Sequence, residues 1–217
     1  MTKPVRSRRD EYSDITRRAL IDSAMSLIAE RGYASTSLDE VTARARVTKG
    51  ALYHHFRGKR ALFEAVFDAK ELAVIADVAA VMREHSEPIE MVRSGLGVFL
   101  DSCLDPGYQR IVLQEGPSVL GYERWREREE QYTLGVVRGV VVSLIDTGEY
   151  PALPVETVTR MLFGALAAGA SAIAGAVNKE RVREEVESTV ILILEGLRHT
   201  PAGVVRRLRP VSSGSAE

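Results

Sequence analysis

The sequence predicts an all-α protein, an N-terminal three-helix helix-turn-helix unit followed by a larger helical body. Three observations carry this. Apolar residues recur at spacings of three and four along most of the 217 residues. No stretch of strand length alternates polar with apolar, and no Asn-Gly or Asp-Gly joins two such stretches. Capping and breaking residues then divide the chain at helical intervals. With 45% hydrophobic and 27% charged residues, the chain can bury a core in one large or two small domains.

In order, residues 1–14 are basic and lack an apolar period, which predicts a flexible arm. The first helix is predicted over 15–31, with Leu20, Ala24, Leu27 and Ile28 on one face and Gly32 at its C-terminal cap. Ser37 and Glu40 have capping-box spacing and open a short helix that runs to Ala45. Thr48 caps a second short helix over 49–55, and Gly58 breaks the chain before a helix beginning near Lys59. Helices this short cannot each bury a core. With the first helix they enclose Leu27, Ile28, Leu38, Val41, Ala45, Val47, Leu52 and Phe56, which is helix-turn-helix spacing. Longer helices are predicted over 59–85, 88–104 with Pro88 near its start, 107–115, 122–147, 155–177 and 179–198. Their breaks are Glu87-Pro88, Asp105-Pro106-Gly107, Gly116-Pro117 and residues 151–154. From Thr200, Pro, Gly, Ser and scattered Arg predict a mobile tail. The predicted organisation is therefore arm 1–14, helix-turn-helix unit 15–60, larger helical body 61–199, and tail 200–217.

Charge separates the same regions. The net charge is only -1, yet residues 1–60 hold 13 Lys and Arg against 7 Asp and Glu, and the remainder 16 against 23. The single Cys103 excludes an internal disulfide and a cysteine-built metal site, and fits a small buried apolar residue in a reducing compartment. No apolar run follows the basic N-terminus, so no signal peptide is expected. The Gly/Ala-rich stretch 161–177 reads as a buried packing helix. The expected location is the cytoplasm, with no membrane partner. Ser118, Ser143 and Ser171 have no nearby His, and the four His stand at 54, 55, 85 and 199, so no catalytic group and no enzyme is predicted. His54 and His55 point about 100° apart on a helix with no third ligand near in sequence. Neither a metal nor any cofactor is expected.

Residues 20–33 (LIDSAMSLIAERGY), 36–41 (TSLDEV), 47–56 (VTKGALYHHF) and 59–62 (KRAL) resemble the TetR/AcrR family of bacterial transcriptional regulators. The resemblance runs for about 45 residues, with caps, turns and core positions of four helices in step. It implies a homodimer that sets two recognition helices in successive major grooves of a palindromic operator, about 34 Å apart. It further implies a C-terminal body that binds a small-molecule effector, which releases the DNA, so that the regulator is most often a repressor.

The DNA-contacting residues follow physically. Thr48 caps the recognition helix, where its hydroxyl and the first amides favour a phosphate. Gly50 permits close backbone approach. Lys49 and His54 point outward from the helix that buries Leu52, as candidates for base edges or nearby phosphates, and His55 flanks them. Tyr53 and Lys59 match the family's phosphate-contacting tyrosine and lysine. Arg44, with Arg6, Arg8, Arg9, Arg17 and Arg18, adds attraction independent of sequence. The chain departs from the family pattern at three positions. Arg46 stands where the turn usually has Gly, which strains a left-handed backbone by on the order of 1 kcal/mol but adds a cation. Thr42 replaces a small Ala, and Ala51 replaces a hydroxyl residue, leaving a methyl that can meet a thymine methyl.

The resemblance places an effector pocket among helices 88–104, 107–115 and 122–147. Phe99, Cys103, Tyr108, Gln114, Trp125, Tyr132 and Phe163 are its expected walls, suiting a hydrophobic or planar molecule. Residues 124–130 are expected as a salt-bridged surface with Trp125 turned inward. Gly164, Ala165, Ala168, Gly169, Ala172 and Ala176 allow close helix approach, in the core or at a dimer seam. Helix 179–198, with Val186, Val190, Ile193, Leu194 and Leu197, completes the pair that the resemblance assigns to a four-helix dimer bundle. Two other readings of the body are an effector-independent architectural DNA-binding dimer and a protein-docking scaffold.

Overall fold

The structure, a computed structural model, describes residues 8–201. The predicted contributions of Arg6 and of the Arg9 side chain, and residues 202–217 of the tail predicted from Thr200, lie outside the described residues. Among the described residues there are only helices: α1 (Arg8–Arg31), α2 (Leu38–Ala45), α3 (Lys49–His55), α4 (Lys59–Met82), α5 (Pro88–Ser102), α6 (Pro106–Tyr108), π1 (Gln109–Glu115), α7 (Gly116–Leu120), α8 (Tyr122–Glu129), π2 (Glu130–Leu134), α9 (Gly135–Asp146), α10 (Val155–Gly175) and α11 (Lys179–Arg198).

Helix α1 begins seven residues before the predicted Ile15, so residues 8–14 are helical rather than part of an arm. They carry no apolar face, which is why periodicity misses them: Tyr12 and Ile15 are exposed. Asp10 and Glu11 sit in the first turn against the positive helix end, and Thr16 Oγ1 donates to the Tyr12 carbonyl at 2.9 Å. The Gly116-Pro117 break is also absent, because helix continues from Pro106 to Leu120. In a regular α-helix the Pro117 ring would clash with a carbonyl one turn earlier. The wider π1 turn precedes it and relieves that clash.

By packing, the described residues group into two compact units, 8–73 with 105–128 and 74–104 with 129–201.

In the first unit, Leu20, Ala24, Leu27 and Ile28 of α1 meet Val41 of α2, Leu52 of α3, and Leu62, Phe63 and Val66 of α4, all buried. Leu38, Ala45 and Val47, predicted in the core, are half-buried at its rim. Segment 105–128 is bound to this core by side chains far apart in sequence. The Glu115 carboxylate accepts the Tyr33 N–H at 2.8 and 2.9 Å. Arg110 donates to the Ala29 carbonyl and Arg60 to the Leu120 carbonyl, each at 2.9 Å. Glu64 of α4 pairs with Arg124 at 2.8 Å and with Arg128, Asp68 pairs with Arg128 at 3.2 Å, and Lys70 pairs with Asp105 at 2.8 Å.

In the second unit, α10 and α11 pack so closely that a Cβ at Gly169 would lie 2.6 Å from Val186 Cγ1. A Cβ at Gly95 of α5 would likewise lie 2.9 Å from Met82 Cγ of α4. Arg183 ties α11 to α5 through Asp101 at 2.9 Å and the Gly97 carbonyl at 3.3 Å. Helix α10 is long and apolar enough to cross a membrane by composition alone. It buries Val158, Leu162, Phe163, Ala170 and Ile173 within the unit, as expected of a packing helix.

Candidate nucleic-acid interface

The site is built on α2 and α3. The capping box of α2 is complete: Glu40 N–H donates to Ser37 Oγ at 3.2 Å, and Ser37 N–H donates to Glu40 Oε2 at 2.9 Å. That backbone bond, with the Ser37 hydroxyl and Arg31, holds the Glu40 carboxyl below its usual range. At the other end Arg46 adopts φ 56, the only positive φ at a non-glycine among the described residues. Its N–H reaches the Ala43 carbonyl at 3.2 Å, which fixes the turn that aims α3. Thr42 is buried, but its hydroxyl donates to the Asp39 carbonyl at 2.9 Å and so costs the turn little.

Thr48 caps α3, its Oγ1 accepting the Ala51 N–H at 3.2 Å. Leu52 (0% exposed) and Phe56 (4%) anchor the helix to the core. This leaves Lys49, Gly50, Tyr53 and His54 on the exposed side, with Ala51 and His55 half-buried beside them. Tyr53 is 60% exposed, far more than a core tyrosine. The His54 and His55 rings meet edge to face at 5.2 Å. Burial, then neighbouring His54 and Arg17, holds His55 below the usual histidine range. Among the described residues no group of three or more His, Cys, Asp or Glu is placed to hold a metal.

Four cations have partners that sequence reasoning did not name. Lys49 Nζ lies 2.7 Å from Asp39 Oδ1 across the turn, and this bond raises its pKa. Arg44 pairs with Glu30 at 3.1 Å. Lys59 Nζ donates to the Ala34 carbonyl at 3.2 Å and lies 4.3 Å from the centre of the Tyr33 ring, which holds an otherwise flexible chain beside the α3 face. Arg17 stacks on the Phe56 ring at 5.5 Å. Tyr33 follows Gly32 in the sequence pattern, but nothing there marks it as a platform for Lys59.

The seven expected pocket residues are placed as follows. In the first unit, Tyr108 is buried with its hydroxyl donating to Glu71 Oε1 at 2.8 Å. Trp125 is half-buried, its indole N–H donating to the Val112 carbonyl of π1 at 3.1 Å, and Gln114 is exposed. In the second unit Cys103 and Phe163 are buried in the core, while Phe99 and Tyr132 are half-buried. None of the seven lines either of two cavities in that unit. One, of about 300 Å³, lies among α4, α5 and α9. The other, of about 10 Å³, lies beside Tyr150 and Leu153.

Residues 20–66 match the family described as bacterial regulatory proteins, tetR family. Residues 89–197 match the tetracyclin repressor-like C-terminal domain. The chain is 29% identical over 149 residues to the Transposon Tn10 TetC protein of Escherichia coli, covering 69% of this chain and 75% of that one. It is also 29% identical over 127 residues to a probable acrEF/envCD operon repressor of Escherichia coli K12, covering 57% and 54%. The crystal structure of a TetR-family transcriptional regulator from Pectobacterium atrosepticum aligns with TM-score 0.77 and 29% identity, over 90% of this chain and 100% of that chain.

Proposed function

The chain belongs to the TetR family of bacterial transcriptional regulators, DNA-binding proteins and not enzymes, and on that premise we propose that it is a repressor. In this reading it binds a palindromic operator in cytoplasmic double-stranded DNA as a homodimer, and a small-molecule effector releases it. The observation that carries the reading is the exposed face of α3, where Lys49, Gly50, Tyr53 and His54 stand beside Lys59 on a helix fixed from behind by Leu52. A polar and cationic surface on a rigid short helix after a tight turn suits the major groove. Thr48, Tyr53 and Lys59 take phosphates, Lys49 and His54 read base edges or adjacent phosphates, and Ala51 meets a thymine methyl. Arg44, Arg46 and His55 add to the rim.

A likeness to a relative named as a repressor supports the sign of regulation. The dimer is supported by an apolar face in the second unit that the fold leaves uncovered. Met161 of α10 is 71% exposed and Leu192 of α11 is 70% exposed, and Gly164, Ala168 and Ala172 lie open on the same helix as Met161.

The test is a salt titration of operator binding. Lys59→Ala weakens binding to all sequences and lowers the slope of log K against log salt by about one. Unchanged affinity with an unchanged slope would remove Lys59 from the interface.

A further inference from the structure

The cavity of about 300 Å³ in the second unit lies at the lower end of ligand-pocket sizes, roughly 300–1,000 Å³. Its walls are the C-terminal turns of α4, the first turns of α5 and one side of α9. Ala79, Met82, Met91, Val92, Val136 and Val140 make it almost wholly aliphatic, and none of its lining residues is aromatic. Of the hydrophobic or planar molecules expected from the sequence, a planar one would therefore find no ring to stack on. The two methionines are flexible, and accommodate a chain better than they define a flat slot. One lining residue is charged, Arg83, and it is exposed, so a ligand head there keeps partial contact with water. Gly135 and Gly139, one turn apart on α9, are exposed and leave the approach open, and a Cβ at either meets nothing within 4 Å.

We propose that this cavity binds an aliphatic monocarboxylate, its chain between α4, α5 and α9 and its carboxylate on Arg83. A single guanidinium matches a single carboxylate in a two-bond pair. An ammonium head would meet like charge, and an alcohol would leave the cation unmatched. The proposal rests on the reading that the body binds an effector, and gives that effector a place and a chemical class.

The experiment measures binding of decanoate, decanol, decylamine and naphthoate to the full-length protein by calorimetry, with operator binding followed in parallel. Decanoate binds tightest. Arg83→Gln weakens decanoate by about tenfold and leaves decanol unchanged. Gly139→Leu introduces a better helix former into open space at the mouth, so the variant folds, but its side chain obstructs entry and weakens decanoate binding at least tenfold. Equal affinity for decanoate and decanol, preference for naphthoate, or full binding by Gly139→Leu overturns the proposal. A change in oligomeric state for Gly139→Leu also overturns it, because a second copy then occupies the groove. If decanoate binds as described but leaves operator affinity unchanged, the site stands and the effector reading falls.

Discussion

To read DNA as proposed, Lys49 must first give up a partner. In the free protein its ammonium is held by Asp39 at 2.7 Å, with both groups largely exposed. Exposed pairs of this kind are weak, so a phosphate or a guanine edge would displace the carboxylate readily. In the proposed DNA-binding reading, Asp39 is a stand-in partner for Lys49 that opposes indiscriminate binding to phosphate. Asp39→Asn is expected to raise affinity for unrelated DNA severalfold while the specific site gains less, measured as the ratio of the two constants at fixed salt. A ratio that stays constant or rises would show that Asp39 has no part in discrimination. Lys49→Ala and His54→Ala should instead change the sequences selected from a random pool, and identical selected sites would remove both from base readout.

At the level of elements, Arg46 places a non-glycine residue in the left-handed region at the α2–α3 turn. Arg46→Gly should stabilise the protein by about 1 kcal/mol, seen as a raised melting temperature, and weaken DNA binding by removing a cation. A lower melting temperature would mean that the Arg46 side chain contributes more than its backbone costs. The second prediction concerns α4, whose Glu64, Asp68 and Glu71 recur on one face toward segment 105–128. Glu64 and Asp68 have guanidinium partners. Glu71 is buried against the Tyr108 hydroxyl, and burial, with Asp68 nearby, raises its pKa to about 7. Its folded value lies above the unfolded one, so its contribution is full below about pH 4.5 and is lost as pH rises through about 7. The melting temperature of the wild type should therefore fall relative to Glu71→Gln between pH 5.5 and 8. Parallel curves would contradict a titrating Glu71. Local signals made α2, α3, α10 and α11 legible in the sequence, because Ser37, Thr48 and the apolar periods act within a few residues. The first turns of α1 and the continuous helix through Pro117 were not legible, since one lacks an apolar face and the other depends on a π turn that no residue type announces.

At the level of the whole molecule, the same contrast separates the α3 face from the unit boundaries. Lys49, His54 and the buried Leu52 were readable from helical geometry, and Tyr53 from the family resemblance. That segment 105–128 belongs with the helix-turn-helix unit depends on Glu115 with Tyr33, Arg110 with Ala29 and Arg128 with Glu64, pairs separated by 60 residues or more. Neither periodicity nor composition records such pairings. In the proposed dimer the exposed apolar face of α10 and α11 forms the seam, so Leu192→Asp should lower dimer affinity, with loss of operator binding at nanomolar protein. A monomeric variant with full operator affinity would contradict dimeric recognition. The most direct test of the account is selection of bound fragments from a random DNA pool at near-physiological salt. The account predicts a two-fold symmetric site with half-site centres about 10 bp apart, or wider if two dimers bind. Recovery of only unpatterned, salt-sensitive binding would contradict it and leave an architectural DNA-binding protein in its place.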